Sequence, residues 1–368
     1  MTGAECGMPS AGGDGAVTAA DRAPTDGTPP SEDPAAPSSG RPPVPEPGLD
    51  LVTFGETMAR LENPVVGPMR HARTLDLGVG GAESNTAIGL CRLGGTAAWF
   101  GRVGDDEFGR LITTVLAGEG VRLGHTVVDR SAPTALLFKE RRSGTLTRVQ
   151  YYRTGSAGSR LRPSDVPHDL IRSARVLHVS GITAAISGTA RQALDDAVGT
   201  ARDAGVPVSL DLNYRQALWT PAEAGACLRD LAERADLVFA TEDEARLVVP
   251  AAKSDGGGEL AGLAASLAAL GPREVLIKRG AAGVVALCEG RLHIVPAHTV
   301  PVIDPVGAGD AFAAGYLAEF VRGRPVAERL ATATAAGAYA VTVRGDWEGL
   351  PSRADLDLLK SAEDTVTR

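Results

Sequence analysis

From Leu51 onward, short apolar runs alternate with segments whose apolar residues recur at helical spacing. LVTFG (51–55) predicts a strand, Ser84 to Leu93 a helix, TAAWFGRVG (96–104) a strand, and Glu107 to Leu116 a second helix. Further strands are predicted at RVLHVSG (175–181), VPVSLDLN (206–213), DLVFAT (236–241) and EVLIKRG (274–280). Ala-rich helical patterns lie between them over 188–204, 221–234 and 258–270. That alternation predicts an α/β fold, a doubly wound and mainly parallel sheet with helices on both faces. Two stretches break it, at about 60–78 and 125–154. In the second, TVVDR, TALLFKER and TRVQYYR read as paired antiparallel strands, so a small β-sheet lid is expected over the carboxyl ends of the main sheet.

Residues 1–48 are Gly, Pro, Ala, Ser, Thr and Asp with almost nothing to fill a core, and are expected to stay disordered. Residues 49–363 form the expected domain. The 368 residues carry 37 Lys and Arg against 45 Asp and Glu, a net charge of −8 that offers no footprint for nucleic acid. Cys6, Cys91, Cys227 and Cys288 lie far apart, with neither a C-x-x-C pair nor the ligand spacing of a zinc site. No apolar run is long enough to span a bilayer, and MTGAECGMPS lacks the regions of a secretory signal, so a cytoplasmic location is expected. The histidines show no paired ligand spacing and read as structural or surface residues.

The sharpest chemical signal is Asp304-Pro-Val-Gly307-Ala308-Gly309-Asp310, which runs directly into an apolar helical pattern. Glycines allow a tight turn, and the N–H groups and dipole at a helix start cradle an anion. Asp310 in that turn is a candidate proton acceptor for phosphoryl transfer, kept ionised by the helix terminus; a plain capping role fits the same residues. A second glycine-rich turn, Gly78-Val-Gly80-Gly81, precedes another helix and would let a ligand approach the backbone. Strand alternation puts Val149, Tyr151 and Arg153 on one face, and aligns Asp211, Asn213 and Arg215 beyond a strand's carboxyl end. Two guanidinium groups aimed at one site suit a carboxylate or phosphate on the substrate. A surface Arg on the lid, or an Arg paired with Asp211, accounts for either one alone.

Together the two glycine-rich motifs resemble the signatures of the PfkB (ribokinase-like) family of carbohydrate kinases, from Leu51 to about Leu359. The resemblance implies a ribokinase-like fold and transfer of a phosphoryl group from ATP, with Mg2+, to a sugar hydroxyl. It implies Asp310 as base and Gly307, Ala308 and Gly309 as anion hole. YYR-x-x-SA (151–157), D-x-N-x-R-x-x-LW (211–219) and VRGDWEGLP (343–351) are similar to the acid-sugar branch that phosphorylates 2-dehydro-3-deoxy-D-gluconate at the 6-hydroxyl. That likeness implies Gly81, Tyr151, Arg153, Ile182, Arg215 and Asp346 around the sugar. On the nucleotide side it implies Thr241, Lys278, Gly280 and Gly283, with Glu244 toward the metal. Thr241 stands where the family usually has Asn, Leu137 where some acid-sugar kinases have Tyr, and Pro305-Val306 replaces two small hydroxylated residues. A family kinase for fructose, ribose or a related sugar, and a silent sugar-binding regulator, stay open as alternatives. Apolar edges on the lid strands suggest a homo-oligomer.

Overall fold

The structure, a computed structural model, describes residues 48–143, 146–250 and 258–360. The expected disorder of 1–48 therefore falls almost wholly outside the described residues, as do 361–363.

The main sheet has eight strands. Across it they run Arg291–Val295, Val284–Cys288, Glu274–Lys278, Leu237–Thr241, Val208–Asp211, Val176–Ser180, Leu51–Phe54 and Ala97–Phe100. The last six of these are mutually parallel, and the first two form an antiparallel hairpin on the edge. Sequence periodicity did not isolate that hairpin. Its outermost strand leaves Leu292 and Ile294 exposed, so it lacks the uninterrupted apolar run of a strand covered on both faces.

The six parallel strands are apolar on both sides because helices cover both sides. Val52, Leu177, Leu210, Val238 and Val275 face one core, with helices Gly188–Asp203, Pro221–Ala232, Glu242–Val248 and Glu259–Ala268. Leu51, Val176, Leu237, Phe239 and Leu276 face the other, with helices Ala82–Arg92, Glu107–Gly118, Ala308–Phe320 and Val326–Ala340. Neighbouring residues on one strand thus serve different cores, the period-two rule acting on a sheet with no wet face.

Beside it lies a four-stranded sheet in the order Asp76–Gly80, Met58–Glu62, Leu136–Arg141, Thr147–Tyr152. This is the expected lid, with two differences. Met58–Glu62 pairs with Leu136–Arg141 in parallel, so the lid is mixed. TVVDR does not join it: Val127–Asp129 pairs in parallel with Arg102–Gly104 in a separate ribbon. The buried Asp129 carboxylate accepts from Arg102 Nη2 (2.9 Å) and from Ser131, and that charge pair holds the segment away from the lid.

Two predicted strands also end early. Val176–Ser180 stops where Gly181–Ile186 turns into a short helix capped by Ser180. Val208–Asp211 stops before Asn213, whose φ of 42° lies in the left-handed region, so strand alternation does not carry as far as Arg215.

Phe239 sits in the middle of the sheet, fully buried, with its ring edge-on to Phe312 (6.2 Å) and Tyr316 (5.7 Å). Phe239→Ala is expected to lower stability by about 3–5 kcal/mol. Denaturant unfolding would read this as a lower midpoint at unchanged slope.

Candidate active site

Parallel strands deliver their carboxyl ends to one edge, and loops leaving that edge line a cavity of about 800 Å³ between the sheet and the lid. The residues that the family resemblance implies for sugar, nucleotide and anion hole all line it. Gly81, Tyr151, Arg153, Ile182, Arg215 and Asp346 are there, with Thr241, Glu244, Lys278, Gly280, Gly283 and Gly307 through Asp310.

One end is built by the start of helix Ala308–Phe320. Gly307 is its N-cap, with φ 81° and no side chain to cap the first turn. A Cβ there would land on the Asp346 backbone carbonyl oxygen, so both conformation and space require glycine. Asp310 is the third helical residue, and its Oδ2 accepts from Asn85 Nδ2 at 2.8 Å. Burial pushes the Asp310 carboxyl up to about 7, against the Asn85 hydrogen bond, and the neighbouring Asp211 carboxylate adds to the rise. The expectation that the helix terminus keeps Asp310 ionised thus meets an opposing cause, since burial favours the neutral carboxyl.

Lys278, at the end of strand Glu274–Lys278, reaches Asp211 Oδ2 at 2.6 Å. Burial alone would lower its pKa, but Asp211, Glu244 and Asp310 raise it overall and keep it an ammonium. The other Asp211 oxygen, Oδ1, is buried without a hydrogen-bond partner.

Thr241 and Glu244 form a capping box on helix Glu242–Val248. Thr241 Oγ1 accepts from Glu244 N, and Glu244 Oε2 accepts from Thr241 N at 2.7 Å. Glu244 Oε1 accepts from Tyr214 N at 2.9 Å. Both Glu244 oxygens are thus occupied by backbone donors, and its first role is to join two loops.

The two cavity arginines have different surroundings. Arg153 is not a free guanidinium: its Nη2 lies 2.6 Å from Glu56 Oε2, and it stacks on Tyr151 at 5.5 Å. The pair is neutral overall, although Arg153 Nε and Nη2 keep unsatisfied hydrogen-bonding capacity. Arg215 differs. It is exposed, donates to the Tyr214 carbonyl at 3.3 Å, and makes no ion pair among the described residues. The lid's inward face supplies apolar Met58, Leu137, Val149 and Tyr151.

Gly80 and Gly81 serve packing more than ligand approach. A Cβ on Gly80 would meet the Asp346 carboxylate at 2.5 Å, and one on Gly81 the Glu56 carbonyl at 2.8 Å. The Asp346 carboxylate is also engaged, by Arg60 (3.1 Å) and Lys139 (3.2 Å).

Several cavity residues escaped the sequence reading. Glu56 follows the first strand, the place where a ligand residue is expected in a parallel sheet, and that signal was available. Glu83 is buried, bonded to Thr183 at 2.5 Å, and burial pushes it up to about 7. His298, read as structural or surface, also lines the cavity.

The family profile described as pfkB family carbohydrate kinase matches residues 49–353. The chain belongs to that family. The kinase is 36% identical over 329 residues to the 2-dehydro-3-deoxygluconokinase of Thermoproteus tenax, covering 88% of this chain and 98% of that one. It is 35% identical over 298 residues to the 2-dehydro-3-deoxygalactonokinase of Haloferax volcanii, covering 81% and 92%. Among solved structures, the 2-dehydro-3-deoxygluconokinase of Thermotoga maritima superposes with a TM-score of 0.79 at 27% identity, covering 85% of this chain and all of that one. The sheet with helices on both faces is thus the ribokinase-like fold of these kinases. No helix among the described residues is long and apolar enough to cross a membrane.

The residues present fit a nucleotide triphosphate. An uncapped helix start and the buried Lys278 ammonium are the donor set that phosphates require. Among the described residues no three His, Cys, Asp or Glu side chains gather into an all-protein metal cage. A Mg2+ here would keep phosphate and water ligands with one or two carboxylates, as that ion prefers. Asp211, whose Oδ1 is buried without a partner, belongs to the cavity lining.

An Asn at position 241 can cap the helix as Thr does, so Thr241→Asn should leave stability unchanged, whereas Thr241→Val should cost about 1 kcal/mol. Thermal unfolding of the pair measures this. Because the folded Asp310 pKa is raised from 3.8 to about 7, ionising it opposes folding as pH rises through that window. Asp310→Asn should therefore melt above the parent at pH 8 and match it only well below pH 3.8, where the parent carboxyl is protonated in both states.

Proposed function

We propose that this kinase phosphorylates the 6-hydroxyl of 2-dehydro-3-deoxy-D-gluconate with ATP. What carries the acid-sugar assignment is Arg215, a cavity cation that forms no close ion pair among the described residues, although its charge is felt at Asp310, and that is available to a carboxylate on the substrate. The two relatives named for keto-deoxy sugar acids support the same class.

ATP with Mg2+, when bound, supplies the phosphoryl group and offsets its charge. The Gly307, Ala308 and Gly309 amides and Lys278 would hold the phosphates, with Thr241, Gly280 and Gly283 lining the nucleotide side and Glu244 bracing it. Arg215, whose charge is also felt at Asp310, would take the sugar carboxylate. Arg153, neutralised by Glu56, would offer N–H groups to uncharged sugar oxygens, beside Tyr151, Ile182, Gly81 and the Asp346 segment. The 6-hydroxyl oxygen forms a bond to phosphorus, the bond from phosphorus to the leaving diphosphate breaks, and the hydroxyl proton goes to Asp310 Oδ2 or Oδ1. With its pKa near 7, Asp310 is more basic than an ordinary carboxylate and still largely ionised just above neutrality. The lid face closes the sugar end with apolar side chains and limits water there. The lid's outward face leaves Leu77 and Tyr152 exposed, and self-association over that face belongs to the same reading.

The test is an ATP-coupled assay on 2-dehydro-3-deoxygluconate, its galactonate epimer, fructose, ribose and gluconate. Keto-deoxy acids should be preferred. Arg215→Ala should raise KM for them at least tenfold, Arg153→Ala should affect acid and neutral sugars alike, and Asp310→Asn should abolish turnover. Preference for a neutral sugar, indifferent to Arg215, would sink the acid-sugar assignment. The free-enzyme profile of kcat/KM should fall tenfold per pH unit below about 7, and Asn85→Ala, which removes the hydrogen bond favouring the carboxylate, should move that limb to higher pH.

A further inference from the structure

We propose that Lys139 is a positioning residue that couples the seating of the lid to the shape of the Gly307–Asp310 turn. The inference rests on the reading that this turn is the phosphoryl-transfer end of the cavity.

Lys139 lies on lid strand Leu136–Arg141, two residues beyond Leu137 and therefore on the same inward face. It is 1% exposed. Its ammonium contacts Asp304 Oδ2 at 2.5 Å and Asp346 Oδ1 at 3.2 Å, and neither carboxylate belongs to the lid.

Both partners control the turn. Asp304 Oδ1 accepts from Val306 N at 3.2 Å, and Asp304 Oδ2 accepts from Gly345 N at 3.2 Å. Asp304 thereby ties the residues just before Gly307 to the 345–348 segment. The backbone carbonyl of Asp346 fills the space beside the Gly307 α-carbon. The ammonium that satisfies these two carboxylates therefore sits behind the turn whose amides face the cavity.

Other charges repeat the arrangement. Arg60, on the adjacent lid strand, reaches Asp346 at 3.1 Å and Glu348 at 2.6 Å. Glu62 on the same strand accepts from Arg344 at 3.0 Å. Each of these pairs crosses from the lid to the body. Buried ion pairs add little net stability over well-packed apolar residues of the same size, but breaking one is costly and their geometry is selective. A row of such pairs defines one seated position of the lid. Only there is the negative charge behind the turn balanced.

The experiment compares Lys139→Met, Lys139→Arg and the double variant Lys139→Met/Asp304→Asn in the full chain. Turnover is measured on whichever sugar the parent enzyme uses best, and amide hydrogen exchange is followed across residues 304–310. Lys139→Met is expected to lose about 100-fold in kcat with less than threefold change in either KM, the signature of a misplaced group and not of lost binding. Its amides at 304–310 should exchange faster while those of the central strands do not change. Lys139→Arg should recover kcat to within about tenfold of the parent. The double variant removes both buried charges, so it should regain thermal stability while kcat stays low. Should Lys139→Met be too unstable to purify, the double variant decides alone. The proposal is overturned if kcat returns together with stability in the double variant, if Lys139→Met stays within threefold of the parent, or if exchange at the turn is unchanged. Silence of the parent on every sugar would instead defeat the functional reading, and the exchange comparison would still decide the coupling.

Discussion

Carboxylates crowd the carboxyl edge of the parallel sheet, and the cations that balance them hold together the elements around the cavity. Asp211, Glu244 and Asp310 gather at one end, where the ammonium of Lys278 answers them. Glu56 beneath the lid is answered by Arg153 from beyond a lid strand. Asp304 and Asp346 are answered by Lys139 and Arg60 from within the lid. In each case anion and cation come from elements distant along the chain. Electrostatic balance and tertiary assembly are consequently one requirement here, enforced by the poor solvation of charge in a closed space.

The same crowding sets the chemistry. A helix start contributes up to about 2 kcal/mol in favour of a nearby carboxylate. At Asp310 the net direction is nevertheless upward, to about 7, against the Asn85 hydrogen bond and the Arg215 and Lys278 charges. Burial and the nearby Asp211 supply the rise. The dipole is directed at the cavity, where a polyanion would use it. A carboxyl made more basic beside unpaired backbone donors suits proton acceptance from a hydroxyl better than a solvated aspartate does.

Much of the architecture was legible because burial on both faces leaves an unmistakable record. Leu51–Phe54, Leu237–Thr241 and Glu274–Lys278 are apolar without interruption, and the helices between them carry the complementary period. Val284–Cys288, buried and apolar, was missed with its hairpin partner. TVVDR was assigned to the lid and the Arg291–Val295 edge was not isolated, because a partly exposed strand records only that it is extended. Its partner is chosen elsewhere, by the Arg102 pair in the one case. The glycine-rich turns were legible as turns. What fills the space beside them, the Asp346 and Glu56 backbone and side chains, was not.

The sequence by itself determined the alternation of parallel strands and helices, the family and the glycine-rich turns at the cavity, because these follow from local periodicity and from short motifs. The tertiary structure alone decided the charge state of those residues and their partners. Arg153 and Arg215 look alike in the chain, yet one is neutralised by Glu56 and the other pairs with no carboxylate among the described residues. Lys139 looks like any strand lysine, yet it is buried between two aspartates that lie more than a hundred residues away. Solvation and Coulomb energy depend on distance in space, and separation along the chain does not report it.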